Sequence, residues 1–223
     1  RAYIADTAGQ TDRVFAHALD RLGEKLGHSF SPAIHKRLGL TDYGLIETKK
    51  ENLESILRDC HYKGLNVTIP YKCDVMGLCD KISDEALQIG SVNTIVRTDD
   101  GRLCAYNTDI DGFIYAAQTA GIDFRDRSVL ICGSGGTSLT VQAASVKLGA
   151  RRVNVVSRTG NTTYGDLGAY ADTDIIVNTT PVGMYPNNLN SIINLDEFPN
   201  CKGVIDVIYN PRRTALIMQA EKR

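Results

Sequence analysis

Polar and apolar positions alternate most regularly in GLNVTIPYK, residues 64–72, where Leu65, Val67 and Ile69 interleave with Asn66, Thr68 and Pro70. A period of two predicts a strand with one apolar face and an amide and a hydroxyl on the other, ended by the proline. Upstream, Val14, Phe15, Ala18, Leu19 and Leu22 recur at helical spacing and predict a helix over residues 12–22. GEKLGHSFSP then reads as a loop, and Pro32 suits the first position of a helix over 32–38, where its missing N–H is not needed. YGLIET (43–48) predicts a strand, and ENLESILRDC (51–60) a helix with Leu53, Ile56 and Leu57 on one side. Residues 83–89 read as a short helix capped by Ser83, and 91–107 as a hairpin turning at Asp100-Gly101.

After residue 108 the rhythm changes. Helical patterns at 109–122 and 137–150 alternate with continuous apolar runs at 128–136, 152–157, 174–180 and 203–209. Strands that are apolar throughout and separated by helices predict a parallel α/β sheet covered on both faces. Between 158 and 174 the chain is short for a crossover helix, and a turn around 164–170 is expected in its place. The fold class expected is two α/β domains.

Composition narrows the partners. The 223 residues are 43% hydrophobic and 23% charged, with a net charge of −1, which points away from nucleic acid and anionic membranes. No apolar run approaches the roughly 18 residues of a membrane span, and no signal peptide is recognisable. The six cysteines show no metal-ligand spacing and read as reduced thiols of a cytoplasmic protein, with no metal site expected.

Candidate chemistry sits at two places. In VLICGSGGTS, Gly133, Gly135 and Gly136 join a strand to a helix, with the small Ser138 at the third motif position. Such a turn lets backbone N–H groups approach a pyrophosphate; the alternative is a plain structural turn. The next strand ends in Ser157-Arg158-Thr159. An arginine there, instead of a carboxylate, suits a 2′-phosphate and so NADP over NAD; the alternative is a solvated loop arginine. In the first half, Ser29, Ser31, Asn66, Thr68, Lys72, Asn93 and Asp109 form a hydroxyl- and amide-rich set suited to a small polyhydroxylated ligand. Against this stand helix capping for Ser29 or Ser31, solvent for Asn66, Thr68 and Lys72, and a purely strand role for Asn93. His28 and His35 read as structural.

Taken in order, GEKLGHSFSPAIH, GLNVTIPYK, GSVNTI, NTDIDGF, ICGSGG, NTTPVGM and DVIYNP resemble the shikimate dehydrogenase family, from about Leu22 onward. The resemblance implies an N-terminal substrate-binding domain (22–108), after an unmatched extension (1–21), and a Rossmann-type NADP-binding domain (109–223). It implies NADPH-dependent reduction of 3-dehydroshikimate to shikimate by a monomer or homodimer. Ser29 and Ser31 would bind the ring carboxylate, and Asn66, Thr68, Asn93 and Asp109 its hydroxyls. Lys72 and Asp109 would be the catalytic pair, and Tyr209 would lie near the substrate. Gly133, Ser134, Gly135 and Gly136 would cradle the pyrophosphate, with Ser157, Arg158 and Thr159 at the 2′-phosphate. Asn178, Thr179, Thr180, Pro181, Val182, Gly183 and Met184 would line the cofactor cleft. A lysine amine is protonated near neutrality and donates a proton to a ketone oxygen as hydride arrives; the reverse reaction is therefore expected to quicken as pH rises. A quinate-using relative and a catalytically inert NADP-binding fragment are the alternatives.

Two departures from the family pattern are expected. The family opens with a strand before the GEKLGHS loop, whereas AHALDR (16–21) reads helical, so the first sheet is expected to lose a member. The chain starts at Arg1 and stops inside a helix, short of a family segment that supplies a substrate-binding glutamine; weak or absent activity is expected on that ground.

Overall fold

The computed structural model describes residues 19–27, 29–40, 42–59 and 62–223; residues 12–18 of the helix expected over 12–22, His28 and Cys60 lie outside them. The chain divides into two compact units, the first ending at Asp109 and the second running from Ile110 to Arg223.

The first unit is built on a six-stranded mixed sheet. Its strands are β1 (Leu19–Gly23), β2 (Tyr43–Glu47), β3 (Gly64–Val67), β4 (Lys81–Ile82), β5 (Thr94–Arg97) and β6 (Leu103–Tyr106), in the order β2-β1-β3-β5-β6-β4. β1 runs parallel to both neighbours, pairing Leu19 with Tyr43 on one side and Gly64 on the other. β3, β5 and β6 pair antiparallel, and Gly101 takes φ +84° at the hairpin turn. Helices α1 (Ser31–Arg37), α2 (Leu53–Asp59) and α3 (Asp84–Ile89) connect the strands. α3 begins as expected, with Ser83 Oγ accepting from Ala86 N. Leu22, Leu53, Leu57, Leu65, Val67, Ile95 and Leu103 form its core.

Two expectations are corrected here. Residues 19–22, read as the end of a helix, are strand β1, so the sheet keeps its first member. Leu19 and Leu22 fit helical spacing, but both are buried by strand partners distant in sequence, and pairing on both sides overrides the local pattern. The alternation of GLNVTIP also stops early. Leu65 and Val67 are buried, whereas Ile69 is 57% exposed. The chain leaves the sheet in a turn closed by Tyr71 N donating to Thr68 O, and buried Tyr71 takes the apolar role, its hydroxyl donating to Thr48 O.

The second unit is a four-stranded parallel sheet in the order β10-β9-β7-β8, formed by β7 (Ser128–Cys132), β8 (Arg152–Val156), β9 (Ile175–Asn178) and β10 (Gly203–Asp206). α4 (Asp109–Thr119), α5 (Gly136–Lys147) and α6 (Ala215–Ala220) are its helices, and a 3-10 turn over Tyr164–Tyr170 replaces a crossover helix, as expected. Strand side chains feed two cores. Val129, Ile131, Ile175 and Val177 pack with Ala117, Phe124 and Val141, while Leu130, Cys132 and Ile176 pack with Val156, Leu195, Phe198 and Leu216. This two-faced burial is why these strands are apolar throughout. Asp174 fastens the start of the sheet, accepting from Ser128 N (2.9 Å), Ser128 Oγ (3.1 Å) and Lys202 Nζ (3.2 Å). No helix among the described residues is long and apolar enough to cross a membrane.

Candidate active site

The turn that ends β3 carries Lys72, and Asp109 opens α4. Lys72 Nζ stands 2.5 Å from Asp109 Oδ2, with the lysine side chain 11% exposed and the aspartate 40%. The amine is thus largely withdrawn from water and held by a carboxylate that still reaches it. Two neutral amides set this geometry. Asn107, buried, donates from Nδ2 to Ser91 O (2.9 Å), and its Oδ1 accepts from Asp109 N (3.1 Å). Asn93, also buried, accepts on Oδ1 from Thr108 N (2.8 Å) and Thr94 Oγ1 (3.0 Å), and donates from Nδ2 to Thr108 Oγ1 (3.0 Å). The carbonyl of Lys72 accepts from Val92 N (2.8 Å), which ties the lysine turn to the same segment. Asn93, expected as a hydroxyl ligand, therefore spends most of its amide on placing the residues before Asp109.

A second cluster gathers the other candidate ligands of this unit. Arg21, in β1, donates from Nη1 to Ser31 Oγ (2.5 Å) and Ser29 Oγ (3.2 Å), and from Nη2 to Thr68 Oγ1 (3.0 Å). Neither serine is the N-cap of α1; that position is Phe30, although Ser29 Oγ does accept from Ser31 N (3.2 Å). Asn66 Oδ1 accepts from Tyr43 Oη at 2.8 Å. Burial pushes the Tyr43 phenol up to about 12, against the opposing influence of Ser31 and Arg21, so it stays a neutral donor. Tyr43 stacks on His35, with ring centroids 3.9 Å apart, and His35 Nδ1 lies 2.9 Å from Ser31 O. His35 thus has the structural place expected of it.

In the second unit, the buried strand β7 runs into Gly133. At its φ of +115° a side chain is strained, and a Cβ would stand 2.6 Å from Thr179 Oγ1. Gly135 is the N-cap of α5 and no side chain caps the helix there, a start suited to an anion. Ser134 and Gly135 are exposed, Gly136 opens the helix, and Ser138 is buried. Beyond β8, Arg158 and Thr159 are exposed, and among the described residues no carboxylate pairs with Arg158. Ser157 Oγ is buried without a hydrogen-bond partner among the described residues. An uncapped helix start, an orphaned hydroxyl and an unpaired guanidinium fit a dinucleotide that carries an extra phosphate.

NTTPVGM is mostly occupied with its own shape. Asn178 is fully buried, donating to Asp206 Oδ1 (3.1 Å) and Val182 O (3.3 Å) and accepting from Thr180 N and Oγ1. Thr179 Oγ1 donates to Cys132 O (2.7 Å), and Gly183 is buried at φ +96°. Pro181 and Met184 are exposed and Val182 half-buried. Asp206 also accepts from Thr214 Oγ1 (2.7 Å) and Ile208 N (3.0 Å), and burial raises its pKa. Tyr209, beyond β10, is 54% exposed. Sequence reasoning missed Arg21, Tyr43, Asn107 and Thr108. Only Asn107 left a local signal, an asparagine two residues before a helix start, where its side chain reaches the backbone N–H.

A family model described as the shikimate dehydrogenase substrate binding domain matches residues 22–95. The shikimate dehydrogenase (NADP(+)) of Clostridium beijerinckii is 40% identical over 217 residues, which are 88% of this chain and 79% of that protein. Among solved structures, shikimate dehydrogenase 1 from Peptoclostridium difficile is 34% identical with a TM-score of 0.85, covering 92% of this chain and 83% of that one. Shikimate 5-dehydrogenase from Thermus thermophilus, in complex with NADP(H) and shikimate, is 29% identical with a TM-score of 0.81, covering 92% and 84%. Identity at this level over most of the length, on the same fold, goes beyond shared architecture: the chain belongs to the shikimate dehydrogenase family.

Proposed function

We propose that this chain is an NADP-dependent oxidoreductase that interconverts 3-dehydroshikimate and shikimate. The observation that carries the reading is the Lys72–Asp109 pair at 2.5 Å, in a unit that also gathers Ser29, Ser31, Asn66 and Thr68. The family relationship supplies the substrate and the cofactor. NADPH, when bound, supplies the hydride. The Gly133–Gly136 turn and the start of α5 would hold its pyrophosphate, and Arg158, with Ser157 and Thr159, its 2′-phosphate.

The rest is done by the chain's own groups. Reduction puts negative charge on the ketone oxygen, and Lys72 Nζ donates the proton that neutralises it. Asp109 holds the amine in line, and its partly exposed carboxylate connects the amine to solvent, from which the proton is regained. In oxidation the same amine takes the hydroxyl proton. Ser29 and Ser31 receive the ring carboxylate, and Asn66 and Thr68 the ring hydroxyls. The reading is of a cytoplasmic enzyme acting on small molecules, with neither nucleic acid nor membrane as partner.

The test is reduction of NADP in the presence of shikimate, followed by absorbance, for the wild type and Lys72→Met. The wild type is expected to turn over only weakly, as the sequence leads one to expect, and the variant to lose a further factor of about 10² to 10⁴ in kcat, the usual worth of a general acid. Wild-type turnover by Lys72→Met would remove the lysine from the chemistry; no turnover by the wild type would end the functional reading.

A further inference from the structure

We infer that Arg21 is the positive charge of the substrate's carboxylate subsite and sets the preference for an anionic ring; this deepens the functional reading above and rests on it. Arg21 is half-buried in β1, between β2 and β3. A guanidinium in such a place is ordinarily paired with a carboxylate. Here its acceptors are three neutral hydroxyls, on Ser29, Ser31 and Thr68. Among the described residues no carboxylate forms an ion pair with it. The carboxylates of its own strand and of β2 are engaged elsewhere: Asp20 Oδ1 accepts from Gly44 N (2.8 Å), and Glu47 Oε1 from Leu26 N (2.6 Å). Arg21 Nε is buried with no acceptor among the described residues.

The direction of these bonds matters as much as their number. Because the hydroxyl oxygens accept from the guanidinium, their own O–H hydrogens point away from it. Ser29 and Thr68 give theirs to no partner among the described residues, while Ser31 also faces Tyr43. Tyr43 is a neutral phenol whose proton goes to Asn66. The cluster therefore presents O–H donors backed by an uncompensated cation. That is a recognition surface for an anion, and charge-assisted bonds are the strong ones. The serines read from the sequence are the contact atoms; Arg21 orients them and supplies the charge.

The experiment measures binding of shikimate and of its uncharged methyl ester by calorimetry, with steady-state kinetics, for the wild type, Arg21→Gln and Arg21→Lys. The wild type is expected to bind shikimate at least about tenfold more tightly than the ester. Arg21→Gln should raise the KM for shikimate about 10- to 100-fold, the range of a lost charged hydrogen bond, with kcat within about threefold and the KM for NADP unchanged. It should also bind acid and ester alike, which a merely structural role would not produce. Arg21→Lys should recover part of the preference. Discrimination retained in Arg21→Gln, or tighter shikimate binding there because the guanidinium had blocked the hydroxyls, would overturn the inference. Should Arg21→Gln not fold, a wild type indifferent to the ester overturns it alone. A wild type that binds neither ligand ends the functional reading, whereas one that turns over shikimate without the expected preference ends this inference alone.

Discussion

At the residue scale, the Lys72–Asp109 pair depends on neighbours that carry no charge. Asn107 joins Ser91 O to Asp109 N, so truncating it removes a partner from each, the first of them buried. Asn107→Ala is expected to lower kcat about tenfold or more through a misplaced carboxylate. The same change should cost about 1–3 kcal/mol in stability, so kinetics must be read beside a thermal melt. An unchanged kcat would leave Asn107 with a structural role alone. Arg158 is the contrasting case, exposed and unpaired among the described residues. Arg158→Ala should raise the KM for NADP about 10- to 100-fold and leave that for NAD nearly as it was, because only one of the two carries the phosphate. Equal losses with both cofactors would place the phosphate elsewhere. The meeting of Lys72 with Asp109 and the place of Arg158 just beyond β8 were legible because each residue stands inside a recognisable motif. Arg21 was not, because its partners gather only when β1, β3 and the loop before α1 come together.

At the element scale, legibility followed burial. β7, β9 and β10 were plain because apolar residues run through them with few polar interruptions, and β7 and β9 are buried along their whole length. β1 was hidden because two leucines three residues apart suit a helix as well as a strand, and its identity comes from Tyr43 and Gly64. Asp174 shows how the parallel sheet is pinned. Burial alone would raise its pKa, but the bonds from Ser128 and Lys202 outweigh that and hold it at about 2, below its ordinary 3.8. A depressed folded value means the stabilisation is complete above the unfolded value and is lost as pH falls through the folded one. The melting temperature should therefore decline between about pH 4 and pH 2, and Asp174→Asn should flatten that decline while lowering stability at neutral pH. Parallel acid profiles for the two proteins would assign the decline to other carboxylates.

At the scale of the whole molecule, the proposed function divides its labour by unit. Each has its own sheet and core, and the candidate ligands for ring and cofactor fall mainly on different units. Binding should be separable where turnover is not. Lys72→Met should bind NADP as the wild type does, and Arg158→Ala should keep its affinity for shikimate, both by calorimetry. Loss of cofactor binding on substituting Lys72 would contradict this division.

The glycine turn allows the demands of folding and of chemistry to be told apart. Gly133 is required by the backbone itself, with a left-handed φ and Thr179 against its missing Cβ. Gly135 is extended, and a Cβ there would meet nothing within 4 Å. In a saturation library scored once for soluble expression and once for growth that depends on shikimate synthesis, position 133 should be intolerant in both screens. Position 135 should accept alanine in the first and reject it in the second, marking where an incoming pyrophosphate, and not the protein, demands the space.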